Sequence, residues 1–387
     1  MKKTLMIMLM ILTIVLGTTG KVHAQNDIGL VKVGKSAILM EASTGTILYS
    51  KEPDLRRPPA SMTKIMTLKL ILDAVESKRI DLEEMVTTSE YASKQIGTRI
   101  FLSVNEQMKV KDLIKSIAIA SANDASVALA ERISGSEENF VAMMNKEASR
   151  LGLKNTNFVN CTGLPAHNHY SSSRDMAIMA RELILKHENI LEITKIYEDY
   201  VREDTPEKRF WLVNTNKLVR FVPGVDGLKT GWTEEAGYCL TATMKKNGMR
   251  VISVIMGEPT TSIRSNETMA MLNYAFSNFE TKVLIPKGTV VDSITDITIT
   301  PYHQDIVTSC DINVVIPKGE NLKEFRYETK IDYDRIKNFY NRNIGTLDVY
   351  YDNELYAKIE LNLEKPIQKT SFLDLLFLIF QEIFLNT

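Results

Sequence analysis

Ser61-Met62-Thr63-Lys64 is the one Ser-x-x-Lys in the chain, and it opens Ile65–Val75, a stretch with helical apolar spacing. A serine and a lysine three residues apart share one helical face, within mutual reach. A hydroxyl at a first turn also lies beside backbone N–H groups and the positive helix end, which favours an oxyanion. Such a pair can run acyl transfer, with Ser61 as nucleophile and Lys64 as base. To work at neutral pH the lysine must drop by about 3 units from ~10.4, roughly 4 kcal/mol, through burial or a second cation. Taken alone, Ser61 reads more simply as an N-cap.

A second cation is available in Lys229-Thr230-Gly231, the one Lys-Ser/Thr-Gly in the sequence. It precedes a strand signal at Tyr238, and a small Gly231 would let a strand edge approach a substrate backbone; the plainer reading is a solvated lysine in a turn. Ser-x-Asn occurs twice, at Ser103-Val-Asn105 and Ser121-Ala-Asn123. The first lies in a polar loop. The second breaks two alanine-rich helical stretches, where a hydroxyl and an amide can face a cleft, and it is preferred. Other nucleophile systems are missing: there is no Gly-x-Ser-x-Gly and no His-Glu-x-x-His. His167 and His169 have metal-compatible spacing without a third ligand and read as a polar loop. Gly224-Val-Asp-Gly-Leu-Lys229-Thr230 has two residues between its glycines where a phosphate loop has four.

The ordered trio Ser-x-x-Lys, Ser-x-Asn, Lys-Thr-Gly is the signature of β-lactamases and penicillin-binding proteins. From about Lys35 to Glu280 the chain resembles the low-molecular-weight penicillin-binding proteins that act as D-alanyl-D-alanine carboxypeptidases, most closely a sporulation-associated subgroup. The resemblance is carried by Pro59-Ala-Ser-Met-Thr-Lys-Ile-Met66, Ile119-Ala-Ser-Ala-Asn-Asp-Ala125 and Pro223-Gly-Val-Asp-Gly-Leu-Lys-Thr-Gly231. It implies an acyl-enzyme on Ser61 with Lys64 as base, and Ser121 relaying a proton to the leaving amine. Asn123 would hold a substrate amide, and Lys229 and Thr230 would bind the terminal carboxylate while Lys229 helps depress Lys64. The backbone N–H groups of Ser61 and Trp232 would form the oxyanion hole. The implied partners are peptidoglycan stem peptides ending in D-Ala-D-Ala and, as covalent inhibitors, β-lactams. No cofactor or metal is implied. Ala122 stands where the family usually has glycine, and Trp232 where it has a smaller ring. A β-lactamase of this fold would carry Glu-x-x-Leu-Asn between the second and third motifs, and Asp124–Gly227 has none. A wall- or drug-sensing module would have no need of the intact set.

The elements that must hold these residues are legible in outline. Ala37–Met40 and Thr46–Ser50 flank Glu41-Ala-Ser-Thr-Gly45 as one hairpin, and Tyr238–Lys245 and Arg250–Met256 flank Asn247-Gly248 as another. Between them lie helical patterns at Leu113–Ala118, Ala125–Ile133, Phe140–Leu151 after an N-cap at Ser136, and Met176–Leu185 after one at Ser173; another runs from about Ile263 to Phe279. Sheet pieces at both ends with helices between predict an α/β sandwich whose terminal strands share one antiparallel sheet, which the resemblance makes β-lactamase/transpeptidase-like with a helical subdomain. After Lys282 the pattern alternates, at Ile294–Thr300, Ile312–Ile316, Phe325–Ile331 and Leu347–Leu363, which predicts a small C-terminal all-β domain.

The chain has 387 residues, 44% apolar and 25% charged, and a net charge of −1, which excludes a disordered chain and leaves no electrostatic footprint for nucleic acid. Three cysteines are too few for a disulfide scaffold. Lys2 and Lys3, the apolar run Leu5–Gly17 and Val22-His23-Ala24 read as a secretory signal peptide, residues 1–24. The expected organisation is a catalytic domain over 25–282, the β domain over 283–365, and an amphipathic helix over 366–387. Phe372–Leu385 is apolar except for Asp374, Gln381 and Glu382; at ~21 Å as a helix it is too short to span and suits an in-plane membrane anchor. The location this predicts is export to the outer face of the cytoplasmic membrane and the cell wall.

Overall fold

The computed structural model describes residues 28–376 and 380, so the expected signal peptide (1–24) and residues 377–379 and 381–387 of the expected C-terminal helix lie outside the described residues. Contacts divide the chain into two units, with the boundary between Thr281 and Lys282; the short segment Val315–Lys318 goes with the first unit.

In the first unit five antiparallel strands form one sheet: β1 (Ser36–Glu41), β2 (Ile47–Lys51), β3 (Val225–Thr233), β4 (Gly237–Lys246) and β5 (Met249–Glu258), in the order β2-β1-β5-β4-β3. β1, from the start of the chain, pairs with β5 from the end, Leu39 opposite Ser253. Strand alternation sorts the side chains. Ile38, Met40, Ile252 and Val254 enter one core, and Ala37, Leu39, Val251 and Ile255 the other. The larger core is covered by α1 (Lys64–Glu76), α2 (Val110–Ala120), α3 (Asn123–Ser134), α4 (Glu137–Arg150) and α5 (Ser173–Lys186). The other is closed by α6 (Thr261–Asn278) through Met271, Leu272 and Ala275.

Caps set the helix starts. The Ser136 hydroxyl accepts from Asn139 N–H, and Thr260 accepts from Ile263 N–H. For α5 the cap is Ser172, which accepts from Asp175 N–H; Ser173, predicted for that role, is the first helical residue, and its hydroxyl donates to the Pro53 carbonyl.

The second unit is an antiparallel five-stranded sheet with strands Val290–Thr295, His303–Thr308, Glu354–Leu363, Gly345–Tyr351 and Phe325–Ile331 in that spatial order. Asp352 and Asn353 both have positive φ, as a tight hairpin turn requires. Its core is small: Ile306, Ile336, Ile344, Leu347, Val349 and Leu361. Among the described residues of this unit, helix is found at Tyr333–Lys337, at 372–376 and at Phe380.

Candidate active site

Ser61 lies in a 3-10 turn, Ala60–Thr63, that runs directly into α1. The capping alternative does not hold: the turn starts at Pro59 and no side chain caps it. Ser61 Oγ instead accepts a hydrogen bond from Lys64 Nζ at 3.1 Å. Two glycines shape the turn. A Cβ on Gly163, whose φ is +85, would lie 1.9 Å from the Ala60 carbonyl oxygen. One on Gly231 would lie 2.7 Å from the Pro59 carbonyl oxygen. Gly231 is therefore needed so that β3 can press against the serine turn, a more specific reason than the open approach to substrate read from sequence. Ala60 itself takes φ +48, a strained value for a residue with a side chain.

Lys64 is fully buried, and its ammonium nitrogen also donates to the Thr162 carbonyl at 2.6 Å. Burial brings its pKa down to about 7, against smaller upward pulls from Cys161 and Asp124. Lys229, buried on β3, is held well below its usual range, first by burial and then by the charges of Lys64 and Arg264. Repulsion between the two lysines thus registers at Lys229, whereas desolvation depresses Lys64. Arg264 near the start of α6 is buried too, and its Nε has no partner among the described residues. Among the described residues neither Lys229 nor Arg264 has a carboxylate partner, which suits the pair to holding an anion.

Ser121 ends α2 in the left-handed conformation, φ +66, and Asn123 begins α3. Both are buried, and Ser121 Oγ and Asn123 Oδ1 have no hydrogen-bond partner among the described residues. Buried orphaned polar atoms are rare in folded chains and mark a place where something binds. Ser103 and Asn105 sit instead in an exposed turn before the short strand Gln107–Lys109, Ser103 N–H bonded to Glu106. β3 is the outer strand of its sheet, so one row of its backbone groups is free of a neighbouring strand. The Trp232 side chain is 57% exposed there, its ring 5.9 Å from that of Tyr238. The Thr230 hydroxyl donates to Thr215 Oγ1 at 2.7 Å.

Sequence reasoning missed Thr162, Gly163, Thr215 and Arg264. His169, read as a polar-loop residue, is buried, and its Nδ1 accepts from Val159 N–H at 3.1 Å. That leaves the proton on Nε2, 2.8 Å from Thr63 Oγ1, so the ring ties the serine turn to the loop whose Thr162 carbonyl grips Lys64. Burial lowers its pKa to about 4, which keeps it neutral. At the far end of α1, Asp73, Glu76 and His187 form the one group with metal-ligand geometry among the described residues. The Lys186 ammonium sits against both acids, at 2.8 and 3.3 Å.

A serine beside a lysine of near-neutral pKa, with a second buried lysine on the outer strand of the sheet close enough to feel its charge, defines a serine acyl-transfer enzyme of the penicillin-recognising class. The Peptidase S11 family profile, described as D-alanyl-D-alanine carboxypeptidase, matches residues 23–260, and the chain belongs to that family. It is 45% identical over 375 residues to the D-alanyl-D-alanine carboxypeptidase DacF of Bacillus subtilis, covering 96% of both chains. It is 31% identical over 346 residues to DacA of Escherichia coli, covering 87% of this chain and 84% of that one. Among solved structures, penicillin-binding protein 5 from Haemophilus influenzae superposes with a TM-score of 0.69 at 32% identity, over 87% of this chain and 98% of that one.

Proposed function

We propose that the chain removes the terminal D-Ala from peptidoglycan stem pentapeptides through an acyl-enzyme on Ser61, and that β-lactams acylate the same oxygen. The observation that carries this reading is the 3.1 Å contact between Ser61 Oγ and a buried lysine brought to about pKa 7. Neutral Lys64 takes the Ser61 proton as Oγ attacks the penultimate D-Ala carbonyl. The backbone N–H groups of Ser61 and Trp232 receive the developing oxyanion. Ser121, whose Oγ is otherwise unpartnered, passes a proton to the leaving amine, and Asn123 Oδ1 accepts from a substrate amide. Lys229, with Arg264 behind it and Thr230 beside it, holds the terminal carboxylate. Water then cleaves the ester and regenerates Ser61.

The domain limits given above, export with cleavage after Ala24, and an in-plane C-terminal anchor belong to the same proposal. The exposed Phe372, Leu373, Leu376 and Phe380 favour the anchor. No helix among the described residues is long and apolar enough to cross a membrane.

The test is D-Ala release from a D-Ala-D-Ala-ended peptide by the signal-free protein, together with turnover of penicillin. Release that Ser61→Ala abolishes supports the reading. Penicillin labelling without release would favour a sensor, and rapid release of opened penicillin a β-lactamase.

A further inference from the structure

The loop from Ile96 to Leu102 is clamped by the first two residues of α3. Asn123 donates from its backbone N–H to the Thr98 carbonyl at 2.8 Å and from Nδ2 to the Ile96 carbonyl at 2.6 Å. The Asp124 carboxylate accepts from Ile100 N–H at 3.2 Å and Leu102 N–H at 3.0 Å. The clamp takes alternate residues, and Arg99 and Phe101 lie between the clamped positions. Phe101 is held at φ +57, a costly conformation for a bulky residue, with its side chain 62% exposed. Its ring lies 5.9 Å from that of Phe210, in the strand Phe210–Val213 that leads to Thr215 and so to Thr230. Phe101 therefore follows directly on the residues that Asn123 and Asp124 clamp and packs against the start of the strand Phe210–Val213.

Arg99 packs its guanidinium over this ring, 4.9 Å from the centroid. Its Nε is buried and has no hydrogen-bond partner among the described residues. The acids around this loop are engaged elsewhere: Asp124 by the loop backbone, and Glu106 by Arg202 at 2.6 Å. A half-buried guanidinium supported by an aromatic ring and lacking a counter-ion is a fork shaped for a carboxylate. The pocket of Lys229 and Arg264 serves the terminal carboxylate, so Arg99, beside Asn123, is placed for a different one.

We propose that Arg99 is a specificity-determining residue that binds a free carboxylate on the acyl side of the substrate, upstream of the penultimate D-Ala. This rests on the carboxypeptidase reading above. Two carboxylates of a wall peptide have this chemistry: the α-carboxylate of a γ-linked glutamate and the side-chain carboxylate of a diaminopimelate residue.

The experiment compares kcat/KM for D-Ala release from pentapeptides that carry both upstream carboxylates, either one alone, or neither, the others being amidated. Wild type is expected to favour an acidic peptide over the neutral one about tenfold, the worth of roughly one charge-assisted pair in a half-open site. That preference should shrink as salt is raised. In Arg99→Met the ratio falls to near one, and Arg99→Lys, which keeps the charge and loses the fork, retains about threefold. A preference confined to one singly acidic peptide supports the proposal and names the carboxylate read. Equal rates on all peptides in wild type, or an undiminished ratio in a folded Arg99→Met (checked by its melting temperature), would overturn it. If wild type cleaves none of them, the carboxypeptidase reading itself falls, and this inference with it.

Discussion

Replacing Lys64 by methionine should make the protein more stable at mildly acidic pH while ending its chemistry. The lysine's pKa falls from 10.5 to about 7 on folding, a cost of about 5 kcal/mol. Methionine fills a similar volume without that cost. It forfeits the hydrogen bonds to Ser61 Oγ and the Thr162 carbonyl, about 1 kcal/mol each, and orphans that carbonyl for about 1 more. The balance at pH 6 is a gain of about 2 kcal/mol. Because the folded pKa lies below the unfolded one, the unfolded chain binds the extra proton between about pH 7 and 10.5. Wild-type stability therefore rises with pH through that window, and the penalty is complete only below it. By pH 9 about 3 kcal/mol of the penalty has gone, and the order of the two proteins reverses. Urea unfolding of both at pH 6 and pH 9 measures this. A Lys64→Met protein less stable than wild type by the same margin at both values would show that Lys64 keeps its ordinary pKa, and the account of the base would be wrong.

Gly163→Ala should destabilise the fold by about 3 kcal/mol and slow penicillin acylation more than tenfold, because its Cβ meets the Ala60 carbonyl and its φ is +85; near-normal acylation would show that the serine turn tolerates displacement. Glu258 at the end of β5 is buried near Glu267, whose carboxylate accepts from Lys32, Val33 and Gly34 N–H. Burial and that neighbour raise Glu258 to about 8. The folded state thus holds the extra proton between about pH 4.5 and 8, and stability falls as pH rises through that range. Glu258→Gln should flatten the decline in melting temperature from pH 5 to 9, and an unchanged slope would argue against a raised Glu258 pKa.

How much of this is legible in the sequence differs by the kind of signal. Glu41-to-Gly45 and Asn247-Gly248 announced their hairpins because short turns need particular residues, and α1, α3 and α4 announced themselves by apolar spacing. Lys229-Thr230-Gly231 read as a segment just before a strand signal, at a strand edge or more plainly in a turn, and it lies inside β3. Its glycine answers to a neighbouring turn packed against it, which no local pattern records. The strands Glu198–Val201 and Phe210–Val213 are too short to show alternation. Thr162 escaped notice because its contribution is a backbone carbonyl, a group every residue has. Arg264 and Arg99 are ordinary basic residues until the fold buries them and withholds a counter-ion.

The most direct test of the central claim is to map the residue that a fluorescent penicillin acylates and to follow the rate of that acylation against pH. The label should fall on the peptide containing Ser61, with a rate half-maximal near pH 7 and dropping tenfold for each unit below. A label on another residue, or a rate that stays flat down to pH 5, would contradict a mechanism in which Lys64 takes the proton from Ser61.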